Sequence, residues 1–523
     1  MLGDHAADSP QESRPMPHLL AIVFLLILRG YPLFAADKPN IIVIIADDVG
    51  YGDLSCYGGT GAQTSSLDQL ASEGIRFTDG YCSASTCTPT RFSLLTGTYA
   101  FRQKGTGIAP PNGPAIIQPG METLPAMLRR AGYTTAAIGK WHLGLGHPAP
   151  DWNGELRPGP LDIGFDHCLL LPTTNDRVPQ VFVEDRRVKD LDPADPLWVG
   201  DKSPSDDHPN GITHRHTLKM DWSHGHNQTI HNGISRIGYY TGGTKARFRD
   251  EDLADAWVRE SNRWIEANRD RPFFLYFASQ DIHVPRIAHE RFQGKSSMGP
   301  RGDCLLQLDW CVGELMKTLD RLNLAEKTLV VFCSDNGPVL DDGYKDDAVE
   351  KLGNHQPAGP FRGGKYSVWE GGTRTPFITR WKGHIAPAVS GQVVCTIDFA
   401  ASFAKLVGES LAAEGCLDSY DVLDAMLGKP GAAGRDHLLQ QDNGSGNFGL
   451  RVGDWKLVRL AQRGKSQARV SKQEVPLPDA KQTLYQLSRD PGETKDVSTA
   501  HPEVFRRLAA RLDQLIQGER SRP

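Results

Sequence analysis

NIIVIIA, residues 40–46, runs directly into Asp47-Asp48. Five of its seven residues are β-branched and none is charged, so it reads as a strand covered on both faces, the kind that builds parallel sheets. Three further segments share this character. Thr134 to Ile138 ends in Gly139-Lys140-Trp141-His142; Pro272 to Ala278 (PFFLYFA) ends in Ser279-Gln280-Asp281-Ile282-His283; Thr328 to Cys333 (TLVVFC) ends in Ser334-Asp335-Asn336-Gly337. Helical patterns fill the intervals: Leu67 to Gly74, Glu122 to Gly132, Glu251 to Asn268 and Cys304 to Leu322. This alternation predicts an α/β fold with a large, mostly parallel sheet, whose ligand crevice lies outside the carboxyl ends of the strands. Asp47, Asp48, Lys140, His142, His283, Asp335 and Asn336 are therefore expected along one edge. A polar residue after a strand is ordinarily a turn, but four such ends in succession read as a site.

The 523 residues are 39% hydrophobic and 23% charged, which excludes collagen-like, coiled-coil and wholly disordered chains. A net charge of −5 offers no basic excess to displace counterions from a nucleic acid, so no nucleic-acid partner is expected. Leu19 to Leu28 (LLAIVFLLIL) is an apolar run about half the length that crosses a bilayer, and Phe34-Ala35-Ala36 offers small residues for cleavage. Residues 1–36 are thus expected to be a signal peptide, with Met16 an alternative start, and the protein to be secreted or periplasmic without stable membrane insertion. The nine cysteines form no zinc-type pair, and Cys304 and Cys311 are about 10 Å apart if they share a helix, too far to bridge. A large unit over 37–425 is expected to be followed by a smaller α+β unit over 426–523. The latter begins at the Gly/Pro-rich Gly428 to Gly434 and has alternating patterns at Leu450 to Leu460 and Thr483 to Leu487, then an amphipathic helix from Pro502 to Ile516. The oligomeric state is left open.

Cys87-Thr88-Pro89-Thr90-Arg91-Phe92-Ser93-Leu94-Leu95-Thr96-Gly97 reads as a capped helix, with Thr88 as cap, Pro89 in the first turn and Gly97 as terminator. Cys87 is then at the positive end, with Arg91 one turn on along the same face, an arrangement suited to an anion. The pattern Cys-x-Pro-x-Arg followed by Leu-Thr-Gly resembles the signature of type I sulfatases, members of the alkaline-phosphatase superfamily. The resemblance extends to Asp47-Asp48 with Gly50-Tyr51-Gly52-Asp53, Gly139-Lys140-Trp141-His142-Leu143-Gly144, Ser334-Asp335-Asn336-Gly337, Arg362-Gly363-Gly364-Lys365, Glu370-Gly371-Gly372-Thr373-Arg374-Thr375-Pro376 and Asp490-Pro491-Gly492-Glu493. Within that family it is nearest to arylsulfatases and N-acetylgalactosamine-6-sulfatases.

The resemblance implies an alkaline-phosphatase-like three-layer sandwich and a hydrolase of sulfate monoesters. It implies that a maturase oxidises Cys87 to formylglycine, which rests as its hydrate. Asp47, Asp48, Asp335 and Asn336 would hold a divalent ion with an oxygen of modified Cys87, Ca2+ usually and Mg2+ as the alternative; an all-oxygen set suits a hard cation. Arg91 would hold the hydrate, Lys140 and Lys365 would grip sulfate oxygens, and His142 would take a proton. His283 would stand near the leaving-group oxygen. Thr174 occupies a place where several members carry a serine that binds the same group.

The insert from Asp185 to Arg247 carries His208, His214, His216, His224, His226 and His231. A second metal site is one reading; a surface loop bordering the cleft is preferred. Asp341-Asp342-Gly343-Tyr344 and Lys351 to His355 are further candidates for pocket lining. Their polarity favours a sulfated carbohydrate, attacked from its end, over a lipid or steroid. A phosphatase or phosphonate hydrolase of the same superfamily, and a non-catalytic binder of sulfated glycans, are the alternatives.

Overall fold

The computed structural model describes residues 38–444, 446–461 and 481–522, so the expected signal peptide lies outside the described residues. The four apolar segments lie side by side in the middle of a ten-stranded sheet. Its order is Ala388–Ser390, Ile75–Phe77, Phe377–Arg380, Thr328–Ser334, Asn40–Ala46, Phe273–Ala278, Thr134–Lys140, His167–Leu171, Val183–Glu184, Arg187–Val188. Asn40–Ala46 is parallel to both neighbours, and the parallel pairing continues through Phe273–Ala278 and Thr134–Lys140 to His167–Leu171. Antiparallel pairs begin only outside these five, at Phe377–Arg380 and Val183–Glu184. The register places Ala46 opposite Ser334, Ile45 opposite Ala278 and Ala278 opposite Gly139. All four chains therefore leave the sheet at one edge, and the residues that follow them are brought together.

Both faces of the sheet are covered. Ile41, Val43 and Ile45 pack with Phe92, Leu95, Phe399 and Phe403 on one side, while Ile42, Ile44 and Ala46 pack with Leu67, Trp257, Leu305 and Leu308 on the other. Each fully buried Ile contributes roughly 1.5–3 kcal/mol, which is why the strand carries no polar residue between Asn40 and Asp47. The covering helices begin where their caps allow. Glu122 to Gly132 narrows to Leu124–Arg130 because Thr123 caps it, accepting from the Ala126 N–H. Cys304 to Leu322 starts earlier, as Pro300–Arg321, with proline in its first turn; the other two are Ser65–Ser72 and Leu253–Asn268. All nine cysteines are free thiols.

The chain closes with a four-stranded antiparallel sheet, His437–Gln441, Phe448–Val452, Trp455–Arg459 and Gln482–Gln486. Its first strand was not foreseen, since HLLQQ does not alternate. Leu508, Leu512 and Leu515 of the helix Pro502–Gln517 pack on Leu450, Leu457 and Leu484. A buried ionic network joins this sheet to two connections of the large one, after Ile75–Phe77 and before Phe377–Arg380. Lys456 bridges Glu370 at 2.9 Å and Glu493 at 3.1 Å, the Glu370 N–H donates to Glu493 at 2.7 Å, and Asp79 receives Arg374 at 3.0 Å and Arg451 at 2.5 Å. The motifs around Glu370 and Glu493 thus serve the junction. No described helix is long and apolar enough to cross a membrane.

Candidate active site

The helix Cys87–Thr96 presents its first residue at the sheet edge and stops at Gly97, whose φ of 60° is the left-handed conformation expected of a terminator. Thr88 is not the cap. Thr86, extended at φ −152°, holds that position, so Thr88 falls inside the first turn and its hydroxyl instead donates to the His142 carbonyl at 3.0 Å and accepts from the Ala109 N–H at 3.2 Å. Cys87 is 1% exposed, and burial raises its thiol pKa above the ordinary value, so the unmodified side chain is a protonated thiol.

Arg91 ties this helix to the strand end at Asp335, with its Nε and a terminal nitrogen 2.9 and 2.8 Å from one carboxylate oxygen. Lys140 donates to Asp47, and Lys365 reaches Asp48 at 3.0 Å. Asn336 Nδ2 donates to Asp48 at 2.7 Å, and the Asp48 N–H donates to Asp335 at 3.2 Å. Burial, with Asp335 nearby, raises the Asp47 carboxyl well above the usual range, and burial raises Asp48 as well. Two buried acceptors in this cluster, Asp47 Oδ1 and Asn336 Oδ1, have no hydrogen-bond partner. Crowded acids with acceptors left over on adjacent strand ends are what a hard cation satisfies. Asp48 and His142 take φ of 62° and 54°, conformations held against local preference, as residues at functional sites often are.

His142 lies with Nδ1 3.2 Å from Cys87 Sγ and Nε2 3.1 Å from the Ala109 carbonyl. A carbonyl only accepts, so Nε2 carries the proton and Nδ1 faces Cys87 with a lone pair. Burial, then Lys140, holds its pKa well below the ordinary value, which keeps the ring neutral. His283 Nδ1 donates to the Val284 carbonyl at 2.7 Å and stands 3.2 Å from Thr174 Oγ1. A His283 nitrogen and carboxylate oxygens of Asp47 and Asp48 all lie within 4.8 Å of one another. All the site residues expected from sequence, Thr174 included, come together.

The structure adds Asp176, Arg177 and Tyr366 to this set and ties in the lining candidates His226 and Asp342. Asp176 joins Arg177 at 3.0 Å to His226 at 2.9 Å, and Asp342 joins Lys365 at 2.9 Å to the Tyr366 hydroxyl at 3.1 Å. The signal for Asp176-Arg177 was their place two and three residues after Thr174; Tyr366 had none beyond following Lys365. Of the insert histidines, His226 packs on Tyr344 with ring centroids 4.7 Å apart, and His231 is buried against the Phe248 carbonyl and the Tyr240 hydroxyl. His214, His216 and His224 are half-buried or exposed, and among the described residues the insert forms no metal-ligating group. Asp342 lines the mouth as expected. His355 does not: it donates to Asp53 at 2.8 Å, beside the Asp53–Arg301 pair, because the loop carrying it turns back to the segment after Asp48.

Residues 39–409 match the family described as Sulfatase. An N-acetylgalactosamine-6-O-sulfatase of Bacteroides thetaiotaomicron is 46% identical over 481 residues, covering 92% of this chain and 93% of that one. Arylsulfatase A of Homo sapiens is 32% identical over 507 residues, covering 92% and 89%. A solved structure reported for the metabolism of multiple glycosaminoglycans by Bacteroides thetaiotaomicron superposes with a TM-score of 0.87 at 44% identity, covering 92% of this chain and 100% of that one. The chain belongs to the sulfatase family and is a sulfuric ester hydrolase.

Proposed function

We propose that this sulfatase removes O-sulfate groups from the ends of carbohydrates, with N-acetylgalactosamine 6-sulfate the first substrate to test. Two things support that choice: the 46% identical relative bears that activity in its name, and the mouth of the site is lined by Asp176, Arg177, His226, Asp342 and Tyr366. A polyol can hydrogen-bond to such a rim, whereas a steroid would displace its water and replace none of those hydrogen bonds. The amino-terminal 36 residues support export, to the exterior or the periplasm.

The observation that carries the chemistry is Cys87 beside His142, next to buried acids with acceptors left over. Asp47, Asp48, Asp335 and Asn336 are read as the ligands of Ca2+, or of Mg2+, with modified Cys87 completing the set. When bound, the ion would supply positive charge that acidifies a neighbouring hydroxyl and neutralises sulfate oxygens. A maturase partner would convert Cys87 to formylglycine, whose hydrate would offer two hydroxyls on one carbon, one to attack sulfur and one to expel sulfate afterwards. His142 Nδ1 faces that position and takes the proton. Lys140, Lys365 and Arg91 present three cations, already held in place by carboxylates, to the charge on sulfate. His283, its Nδ1 proton given to the Val284 carbonyl and its pKa lowered by burial, would accept through Nε2 from a water that gives its other proton to the leaving sugar oxygen as the sulfur–oxygen bond breaks.

The mass of the peptide containing Cys87, from protein made with a maturase, tests the nucleophile: an aldehyde is expected, and a thiol in a fully active sample would end this reading. Cys87→Ser is expected to react once and stop, because serine lacks the second hydroxyl. Sulfated monosaccharides should be hydrolysed well ahead of steroid sulfates and aryl phosphates; the reverse order would replace the carbohydrate reading.

A further inference from the structure

A cleft lies between the loop that follows the Cys87 helix and the small sheet. Its volume is about 310 Å³, within the size range of ligand pockets, and it is lined by Phe101, Gln103 and Lys104 on one wall and by Asp442, Asn443 and Phe448 on the other. One wall is the loop that follows the Cys87 helix. The other is formed by residues 442–444 and 446–447, between the strands His437–Gln441 and Phe448–Val452 of the small sheet. The walls are tied at their base: the Phe101 N–H donates to Gln441 Oε1 at 3.0 Å, and the rings of Phe101 and Phe448 meet edge to face with centroids 5.3 Å apart. Thr86, fully buried and directly before Cys87, ties the cleft wall to the catalytic helix: its hydroxyl donates to Asn443 Oδ1 at 3.3 Å. On the other side of the same short segment, the Ser85 carbonyl accepts from the N–H of Tyr366, the residue hydrogen-bonded to Asp342 at the catalytic mouth.

We propose that this cleft is a second carbohydrate subsite, which takes the sugar next to the one bearing the sulfate; this rests on the carbohydrate reading above. The lining suits such a guest. A pyranose has an apolar face that packs on an aromatic edge, and hydroxyls that exchange hydrogen bonds with amides such as Gln103 and Asn443 and donate to a carboxylate such as Asp442. Lys104 is exposed at the rim and would meet the carboxylate of a uronate, the acidic sugar of an alternating sulfated chain. The small sheet would then have a share in substrate choice as well as in stability.

Gly107 lines the cleft, its backbone is outside the left-handed region, and a Cβ there meets nothing within 4 Å. Gly107→Trp is therefore expected to fill the space without disturbing the fold, and Lys104→Ala to remove the rim charge. The wild type and both variants are compared on N-acetylgalactosamine 6-sulfate and on an oligosaccharide ending in it with a uronate next. Expected is an unchanged rate on the monosaccharide and a loss of about tenfold or more in kcat/KM on the oligosaccharide, mostly through KM. Equal effects on both substrates, or none, would overturn the subsite. Binding of the unsulfated oligosaccharide, followed by chemical-shift changes or calorimetry, separates the two readings. Binding that Gly107→Trp abolishes upholds the cleft even if neither sulfated compound is cleaved; absence of binding to the wild type removes the cleft even if the monosaccharide is cleaved.

Discussion

Two dense, buried ionic clusters lie in this molecule, and they are built differently. At the junction with the small sheet, Asp79, Glu370 and Glu493 face Arg374, Arg451 and Lys456, three charges against three. At the catalytic edge, Asp47, Asp48, Asp335 and Asp342 face only Arg91, Lys140 and Lys365, and Asp47 Oδ1 and Asn336 Oδ1 are left without partners. A balanced buried cluster holds parts together. One with surplus acid and unmet acceptors is arranged for a cation from outside.

The largest expected effect sharpens the catalytic side. Asp47→Asn keeps the shape but removes one ligand charge, and should lower kcat/KM on a sulfate ester by about 10³-fold or more. Ca2+ at about 100 times its Kd should stabilise the wild type by about 2.7 kcal/mol, and this rise in Tm over a chelator control should vanish in the variant. A Tm indifferent to Ca2+ and Mg2+ in the wild type would break the contrast.

The junction predicts the converse. Lys456→Met leaves Glu370 and Glu493 facing each other without their shared lysine, so denaturant unfolding should show a loss of about 3–5 kcal/mol. The folded fraction should keep its kcat and its response to Ca2+, and a loss of activity without a loss of stability would place the junction in the catalytic machinery.

The smallest effect comes from a third, less buried group. His167 lies between Asp185 and Glu260, each 2.8 Å away. Burial opposes its charge, but these two carboxylates overcome that and raise its pKa from 6.5 to about 9. The folded pKa is the higher one, so the contribution is fully present below about pH 6.5 and is lost as pH rises through about 9. The full shift would correspond to about 3 kcal/mol; solvent screening at this partly open position reduces the expectation to about 1 kcal/mol. The stability gap between wild type and His167→Gln, followed by thermal unfolding, should therefore close between pH 6.5 and pH 9. A gap that widened with pH would contradict the pairing.

The sequence alone determined the parallel core and the edge where its strands end. NIIVIIA and its three counterparts are buried on both faces, and burial on both faces leaves a local mark in composition that needs no knowledge of neighbours. The residues following those strands, Asp47, Asp48, Lys140, His142, His283, Asp335 and Asn336, were legible for the same reason, and Cys87, Arg91, Thr174 and Lys365 through the motifs around them. Partnerships were another matter. That Arg91 meets Asp335, 244 residues away, that Lys365 is shared by Asp48 and Asp342, and that His226 enters the mouth while His355 turns to Asp53 depend on sheet register and loop paths. The same holds for Thr88, displaced from its cap by where the helix begins, and for the cleft between Phe101 and Phe448, whose walls belong to segments that meet only after the small sheet has formed. Hydrophobic burial is a property of each segment, whereas a hydrogen-bond partner is chosen among distant groups by geometry, and only the folded chain supplies that geometry.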